Sequence, residues 1–161
     1  MIFHCVDGVD GFTPEMLRIR QEIKVNTIWN VTTNQEAFDK VVEHLSGMTQ
    51  RCADERMCYY RDESLGDKGR CAVGALIKDE AYDPMFENIG SVSRPQWMAY
   101  FHGTSLDRQL FFDMQELHDQ PDFWDSSGFL NWTYFRIIAA RYKLDDSILD
   151  RLVEEGVIKV G

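Results

Sequence analysis

The chain has 161 residues, 44% of them hydrophobic and 27% charged, with a formal net charge of −10. One domain of ordinary size accounts for this length, and such a chain can bury a core without a disulfide or metal staple. The acidic excess reaches six acids against Arg108 alone between residues 106 and 128; such a surface repels phosphate backbones and anionic lipid, which disfavours nucleic acid and membranes as partners.

The apolar start at residues 1–6 lacks a basic lead and runs straight into Asp7, unlike a secretory leader. The longest apolar run, residues 71–77, is far too short to span a bilayer. These features predict a cytoplasmic protein whose four cysteines, Cys5, Cys52, Cys58 and Cys71, are free thiols.

In chain order, Ile2, Phe3, Cys5 and Val6 suit an edge strand, and Thr13-Pro14-Glu15 opens a short helix with proline at its first position. Residues 25–31 read as a strand. Thr33 and Glu36 form a capping box ahead of Ala37, Phe38, Val41, Val42 and Leu45, which share one face of a helix over residues 34–46 that Gly47 ends. Residues 57–61, with paired tyrosines, read as a short strand. Residues 62–69 form a turn-rich loop. The run at 71–77 suits a buried strand or a buried helix, and Ala72, Gly74 and Ala75 point to a close approach of backbones. Asp83-Pro84 opens a short helix, and 91–103 is irregular. Three further helices are predicted over residues 105–119, 129–142 and 145–155. The apolar residues of the second circle most of its axis, so it needs cover on both sides, inside the chain or at an interface. The predicted fold is α+β, a helix-rich single domain over residues 1–161 with a small antiparallel sheet or hairpin, and with residues 1–33 as an extension packed on the core.

No phosphate loop, dinucleotide fingerprint, zinc-protease pair or nucleophile elbow occurs. His44, Cys52, Cys58 and Cys71 carry metal-binding atoms but lack the closely spaced pairs of zinc modules, so no metal and no cofactor is predicted. Cys71 before a helix, with His118 or His102 as base and Asp119 to orient it, has the residue types of a nucleophilic triad. His118 nevertheless falls on the apolar face of its helix, where a hydrogen-bonded core histidine is the expected reading. The segment 60–82 gathers Tyr60, Arg61, Arg70, Asp79, Glu80 and Tyr82 around a glycine-bearing loop. Such groups suit either a polar ligand or a structural ion pair, such as Arg61 with Asp79, that holds the loop down.

The run C-Y-Y-R, the turn-rich loop and R-C-A-V-G-A-L-I-K-D-E-A-Y-D-P resemble a family of small uncharacterised bacteriophage and bacterial proteins, with the pattern C-x-Y-R, a glycine-containing loop, and [KR]-C-A-[IV]-G-x-L-I-P-D-E-x-Y. The matching residues are Cys58, Tyr60, Arg61, Arg70, Cys71, Ala72, Val73, Gly74, Leu76, Ile77, Asp79, Glu80 and Tyr82; Lys78 stands where the family often has proline. The strong match covers residues 57–84. The resemblance implies a phage or bacterial cytosolic origin and carries no activity with it.

Acidic surface, missing catalytic motifs and an aromatic-rich segment at 123–142 together predict a binding protein rather than an enzyme, acting on a host protein. Phe123, Trp124, Trp132 and Phe135 are its candidate contact residues, and a homodimer is a further candidate assembly. The rival reading is a small-molecule or nucleotide-binding protein or hydrolase that uses the segment 60–82.

Overall fold

The computed structural model describes residues 14–15, 27–53, 58–62, 64 and 69–159. The expected edge strand at residues 2–6, Cys5 and most of the 1–33 extension lie outside them, although Pro14 and Glu15 have helical backbone as expected.

Helix α1, Asn34–Ser46, is built as its capping box predicts. The Thr33 hydroxyl accepts from the Glu36 N–H at 3.1 Å, and the Gly47 N–H closes the last turn on His44 and Leu45. Its five apolar residues are all buried. Two short helices follow, α2 (Met85–Ile89) and α3 (Met98–Phe101). Helix α4 is Arg108–Asp119. It begins three residues later than predicted, because the Asp107 carboxylate caps it by accepting from the Gln109 N–H at 2.9 Å. Helix α5 is Thr133–Tyr142 and helix α6 is Ser147–Glu154. Between α4 and α5, strands β1 (Trp124–Asp125) and β2 (Gly128–Phe129) pair antiparallel, Trp124 opposite Phe129. The fold is thus a helix-rich α+β domain with one two-stranded sheet among the described residues, in agreement with the predicted class. Gly128 sits at φ +116°, and a Cβ there would lie 2.6 Å from the Met48 carbonyl oxygen, so the hairpin packs on the end of α1 only with glycine in place.

Several elements differ from their predictions. Residues 129–132 are not helical. Phe129 belongs to β2, and the helix starts at Thr133. Residues 91–103 are not wholly irregular, since a 3₁₀ turn at Pro95–Trp97 leads into α3. Among the described residues of the expected strands at 25–31 and 57–61, pairing is by single bridges: Trp29 with Ile77, Ala53 with Cys58, and Arg61 with Arg70. The run 71–77 is buried throughout and forms one 3₁₀ turn, Gly74–Leu76, rather than a strand or an α-helix.

The core is continuous. Helix α1 packs on α4, α6, β2 and the 74–76 turn, and α4 packs on α5. Trp29 anchors one end, edge-on to Phe111 and tilted against Phe101, both at 4.9 Å, while its indole N–H donates to the Tyr100 carbonyl at 2.8 Å. Such aromatic pairs add roughly 0.5–1.5 kcal/mol each beyond the area they bury.

Residues 58–61 and 69–77 pack among these helices with only single bridges as sheet pairing among the described residues. Buried N–H and C=O groups must find partners, and here helix side chains supply many of them. His44 of α1 bonds the Arg70 carbonyl at 2.7 Å. Glu87 of α2 accepts from the Tyr60 and Arg61 N–H groups at 2.7 and 3.3 Å. From α4, Gln115 accepts from the Val73 N–H at 3.0 Å and His118 from the Cys52 N–H at 3.1 Å.

Candidate functional site

The bridge between Arg61 and Arg70 sets these residues opposite each other at the two ends of the loop. Their guanidinium groups converge on one oxygen of Asp79: Nη2 of Arg61 lies 3.1 Å and Nη2 of Arg70 2.9 Å from Oδ1. Arg61 also donates to the Ile77 carbonyl at 2.6 Å and lies over the Tyr82 ring, 4.8 Å from its centroid. The Tyr82 hydroxyl donates to Glu87 at 2.6 Å, the same carboxylate that holds the Tyr60 and Arg61 N–H groups. Burial and the like charge of Arg70 hold the Arg61 guanidinium below its ordinary pKa, against the pull of Asp79.

Four of the six residues picked from this segment therefore meet: Arg61, Arg70, Asp79 and Tyr82. Tyr60 turns inward instead. Its ring packs edge-on to Trp97 at 5.2 Å, its hydroxyl donates to the Gly90 carbonyl, and burial pushes its phenol well up from the ordinary range. Glu80 is exposed on the Asp79–Ala81 turn. Glu87 was missed from the sequence although it organises the cluster.

His118 and Asp119 do pair, Nδ1 to Oδ1 at 2.8 Å, but not in a triad. The Cys52 N–H can only donate, so the facing Nε2 must accept and the proton sits on Nδ1. Both ring nitrogens are thus occupied, and neither is offered to a thiol as a base. His118 and Cys71 are fully enclosed. Burial pushes the Cys71 thiol well above its ordinary pKa, that of Cys52 up to about 12 and that of Cys58 up to about 11. A nucleophilic thiol needs the opposite shift. Cys52, Cys58 and Cys71 are free thiols, and among the described residues no group of three His, Cys, Asp or Glu side chains is placed to hold a metal ion.

Of the aromatic candidates, Trp132 and Phe135 are enclosed by this chain at 3% and 0% exposure, so they are core residues rather than contact residues. Trp132 packs on Phe129 at 4.9 Å, and Phe135 on Phe129 at 5.7 Å and Phe38 at 6.0 Å. Phe123 and Trp124 are half-buried. Trp124 donates to the His118 carbonyl at 2.8 Å, whereas Phe123 stacks on Tyr134 at 5.2 Å. The other side of α5 is open: Leu130, just ahead of the helix, and Tyr134 and Ile137 within it are 43%, 46% and 48% exposed. Sequence reasoning placed cover on both sides of this helix, and the chain supplies it on one.

A solvent-open groove of about 750 Å³ lies elsewhere, lined by Met98, Phe101, His102 and Arg108 among others. Of the candidate residues, His102 lines it. Among the described residues no helix is long and apolar enough to cross a membrane.

The loop anchored by Arg70 should respond to acid through His44. Burial, the first cause, and the nearby charges of Arg70 and Lys40 lower the His44 pKa from 6.5, while the bond to the Arg70 carbonyl opposes them. The unfolded chain then binds a proton that the folded chain resists, so stability is full above about pH 6.5 and falls as pH drops from there toward the folded pKa. Urea unfolding of the wild type should show stability lost between pH 7 and 5.5. His44→Gln, which keeps an N–H for Arg70, should flatten that slope, and an unchanged slope would assign the loss to other groups.

No family model, curated protein or solved structure matches the chain.

Proposed function

We propose that this protein works by binding a partner protein rather than by catalysis, in a bacterial cytoplasm and on a host factor. The carrying observation is the exposed apolar stripe of Leu130, Tyr134 and Ile137, extended by Phe123 stacked on Tyr134. Tyr134 and Ile137, three residues apart within α5, share one helix side, and Leu130 precedes the helix. Contiguous exposed apolar surface of this kind marks contact sites. The exposed carboxylates of Asp122 and Asp125 lie close by in sequence, and the net charge is −10, so a partner with an apolar groove and a basic rim fits best. The engagement of His118, Cys52 and Cys71 in the interior supports the non-catalytic reading. The resemblance of residues 57–84 to phage and bacterial proteins supports the cytosolic setting.

The test is a double substitution, Tyr134→Asp with Ile137→Asp. Both positions are exposed, so each change should cost little more than about 0.5 kcal/mol, and the variant should melt within a few degrees of the wild type. A partner captured by the wild type from bacterial lysate should be lost with this variant. Light scattering after size exclusion reports whether the stripe joins two copies instead. Capture that survives the double substitution but fails with Arg70→Gln would move the binding surface to the arginine cluster and overturn the assignment.

The second reading, a small-ligand site in the segment 60–82, is favoured by the convergence of Arg61 and Arg70 on one carboxylate oxygen.

A further inference from the structure

Helix α5 has one buried side and one open side. Phe135, Ile138 and Ala139 are buried, while Thr133, Tyr134, Ile137, Ala140 and Arg141 are exposed. With about 100° between successive residues, Ile137 lies at the middle of the open face. Tyr134 and Arg141 fall on one flank of it, Thr133 and Ala140 on the other. Ile137 is also central along the helix, which runs Thr133–Tyr142. The charges around this face are polarised. Residues 129–144 carry Arg136, Arg141 and Lys143 and no acid, in a chain of net charge −10. Arg141 and Lys143, both exposed, stand at the C-terminal end. The exposed Asp122 and Asp125 stand beside the N-terminal end, where Phe123 stacks on Tyr134 and its carbonyl accepts from the Leu130 N–H at 2.8 Å. A face with an aliphatic centre and opposite charges at its two ends is complementary to itself when turned end for end.

We propose that in the free protein a second copy of this chain covers the α5 stripe, the two α5 helices packing antiparallel about a twofold axis at Ile137. The inference rests on the reading of the stripe as a contact surface and names what occupies it before a partner does. A twofold interface is self-complementary, so Ile137 meets Ile137 of the second copy at the centre. On one flank Tyr134 lies along Arg141 of the second copy, an aromatic face against a guanidinium. That guanidinium is 58% exposed and is steadied by Asp113 at 2.9 Å. On the other flank Thr133 meets Ala140 of the second copy, and two small side chains let the backbones approach. At the ends, Asp122 and Asp125 of each copy face Lys143 of the other. Parallel pairing would set acid beside acid and base beside base instead. The helix has ten residues and is about 15 Å long, so the contact is smaller than a standard interface and the dimer is weak. A weak cover is one that a partner can displace, and the second copy and the partner exclude each other.

Sedimentation equilibrium over about 5 to 500 µM, the range of a weak dimer, tests the proposal. The wild-type mass should rise with concentration from one chain of 18.8 kDa toward two. Ile137→Asp should stay at one chain throughout while keeping the wild-type melting profile. Oxidation of Ile137→Cys should link two chains through the introduced thiols, because the twofold axis brings their Cβ atoms together. Tyr134→Cys should not link to its own counterpart, since antiparallel pairing sets those two positions about 9 Å apart along the helix axes. Peptide mapping by mass spectrometry separates these links from any made by the native thiols. A wild type that is monomeric at about 500 µM would overturn the proposal. So would an Ile137→Asp variant that dimerises as the wild type does, a Tyr134→Cys variant that links as fast as Ile137→Cys, or a captured partner complex that holds two copies of this chain. The two readings fail separately. A monomeric wild type whose partner is still lost with the Tyr134→Asp, Ile137→Asp variant removes the second copy and leaves the partner. A dimer broken by Ile137→Asp, with capture unchanged in the double variant, does the reverse.

Discussion

Gly74→Ala should destabilise the protein by at least about 3 kcal/mol, at the upper end of what overpacking costs. A Cβ on Gly74 would lie 1.9 Å from the Tyr60 carbonyl oxygen and 2.8 Å from its carbon. The obstacle is backbone, not the mobile end of a side chain, and it is already engaged, because the Cys71 N–H donates to that same oxygen at 3.2 Å. To make room, the 60–61 strand fragment must move off the 71–77 turn, which would pull Arg61 from Ile77 and Tyr60 and Arg61 from Glu87. The sign of the effect is informative. In an open helical turn alanine is the better residue by about 1 kcal/mol, and nothing in the backbone of this turn demands a positive φ at Gly74. Space alone forbids the methyl group. Urea unfolding followed by far-ultraviolet circular dichroism measures the change. A chain of this length loses roughly 2–4 °C of Tm per kcal/mol, so a drop of about 6–12 °C or more is expected. A variant within about 2 °C of the wild type would show that residues 60 and 74 do not approach this closely.

The same contact explains which parts of the fold could be read in advance. Helix α1 was legible because its cap, its buried stripe and its terminator are all local, within residues 33–47. Helix α4 was legible for the same reason, apart from its start, which the sequence pattern places at Ser105 and which the Asp107 cap moves to Arg108. The segment 52–77 was not, because its backbone partners are remote. A strand reading of 57–61 assumes a neighbouring strand, whereas the observed acceptor for two successive N–H groups is the Glu87 side chain, more than twenty residues away. Small residues at 72, 74 and 75 did signal a close approach, but not what approaches. The end of α5 nearest the hairpin misled through composition: Phe129 and Trp132 continue the apolar pattern of the helix, but Gly128 at positive φ turns the chain into β2 instead.

The arginine cluster was half legible. Arg61, Asp79 and Tyr82 stand out because charged and aromatic groups flank a turn-rich loop. Tyr60 stands out equally and is core, since alternation in a strand fragment sends neighbours to opposite sides. Glu87 lies past the end of the recognised segment, in a helix with an ordinary apolar and polar pattern, and nothing local marks it. Gln115 left one trace: a polar residue between Met114 and Leu117, on the buried side of α4 and one turn before His118. A buried amide there implies a backbone group that needs it.

That trace leads to His118, whose removal should have the second large effect. His118→Ala should cost about 3–5 kcal/mol. The loss combines a cavity where a fully enclosed ring stood with two broken hydrogen bonds. The Cys52 N–H is buried and would lose its acceptor, and the Asp119 carboxylate would lose the ring N–H while keeping the Gln115 amide at 2.6 Å. Trp124, edge-on to the ring at 5.6 Å, would lose a packing partner next to the hairpin. His118→Gln separates these contributions. Its amide oxygen reaches the region of the ring Nε2 and can accept from Cys52, so it should recover the hydrogen-bond part and leave the packing part, with a loss about half that of alanine. A catalytic histidine would behave differently, because its replacement spares the fold and abolishes activity. Denaturant unfolding monitored by tryptophan fluorescence reads both variants, and a His118→Ala protein as stable as the wild type would remove His118 from the core and return it to the candidates for chemistry.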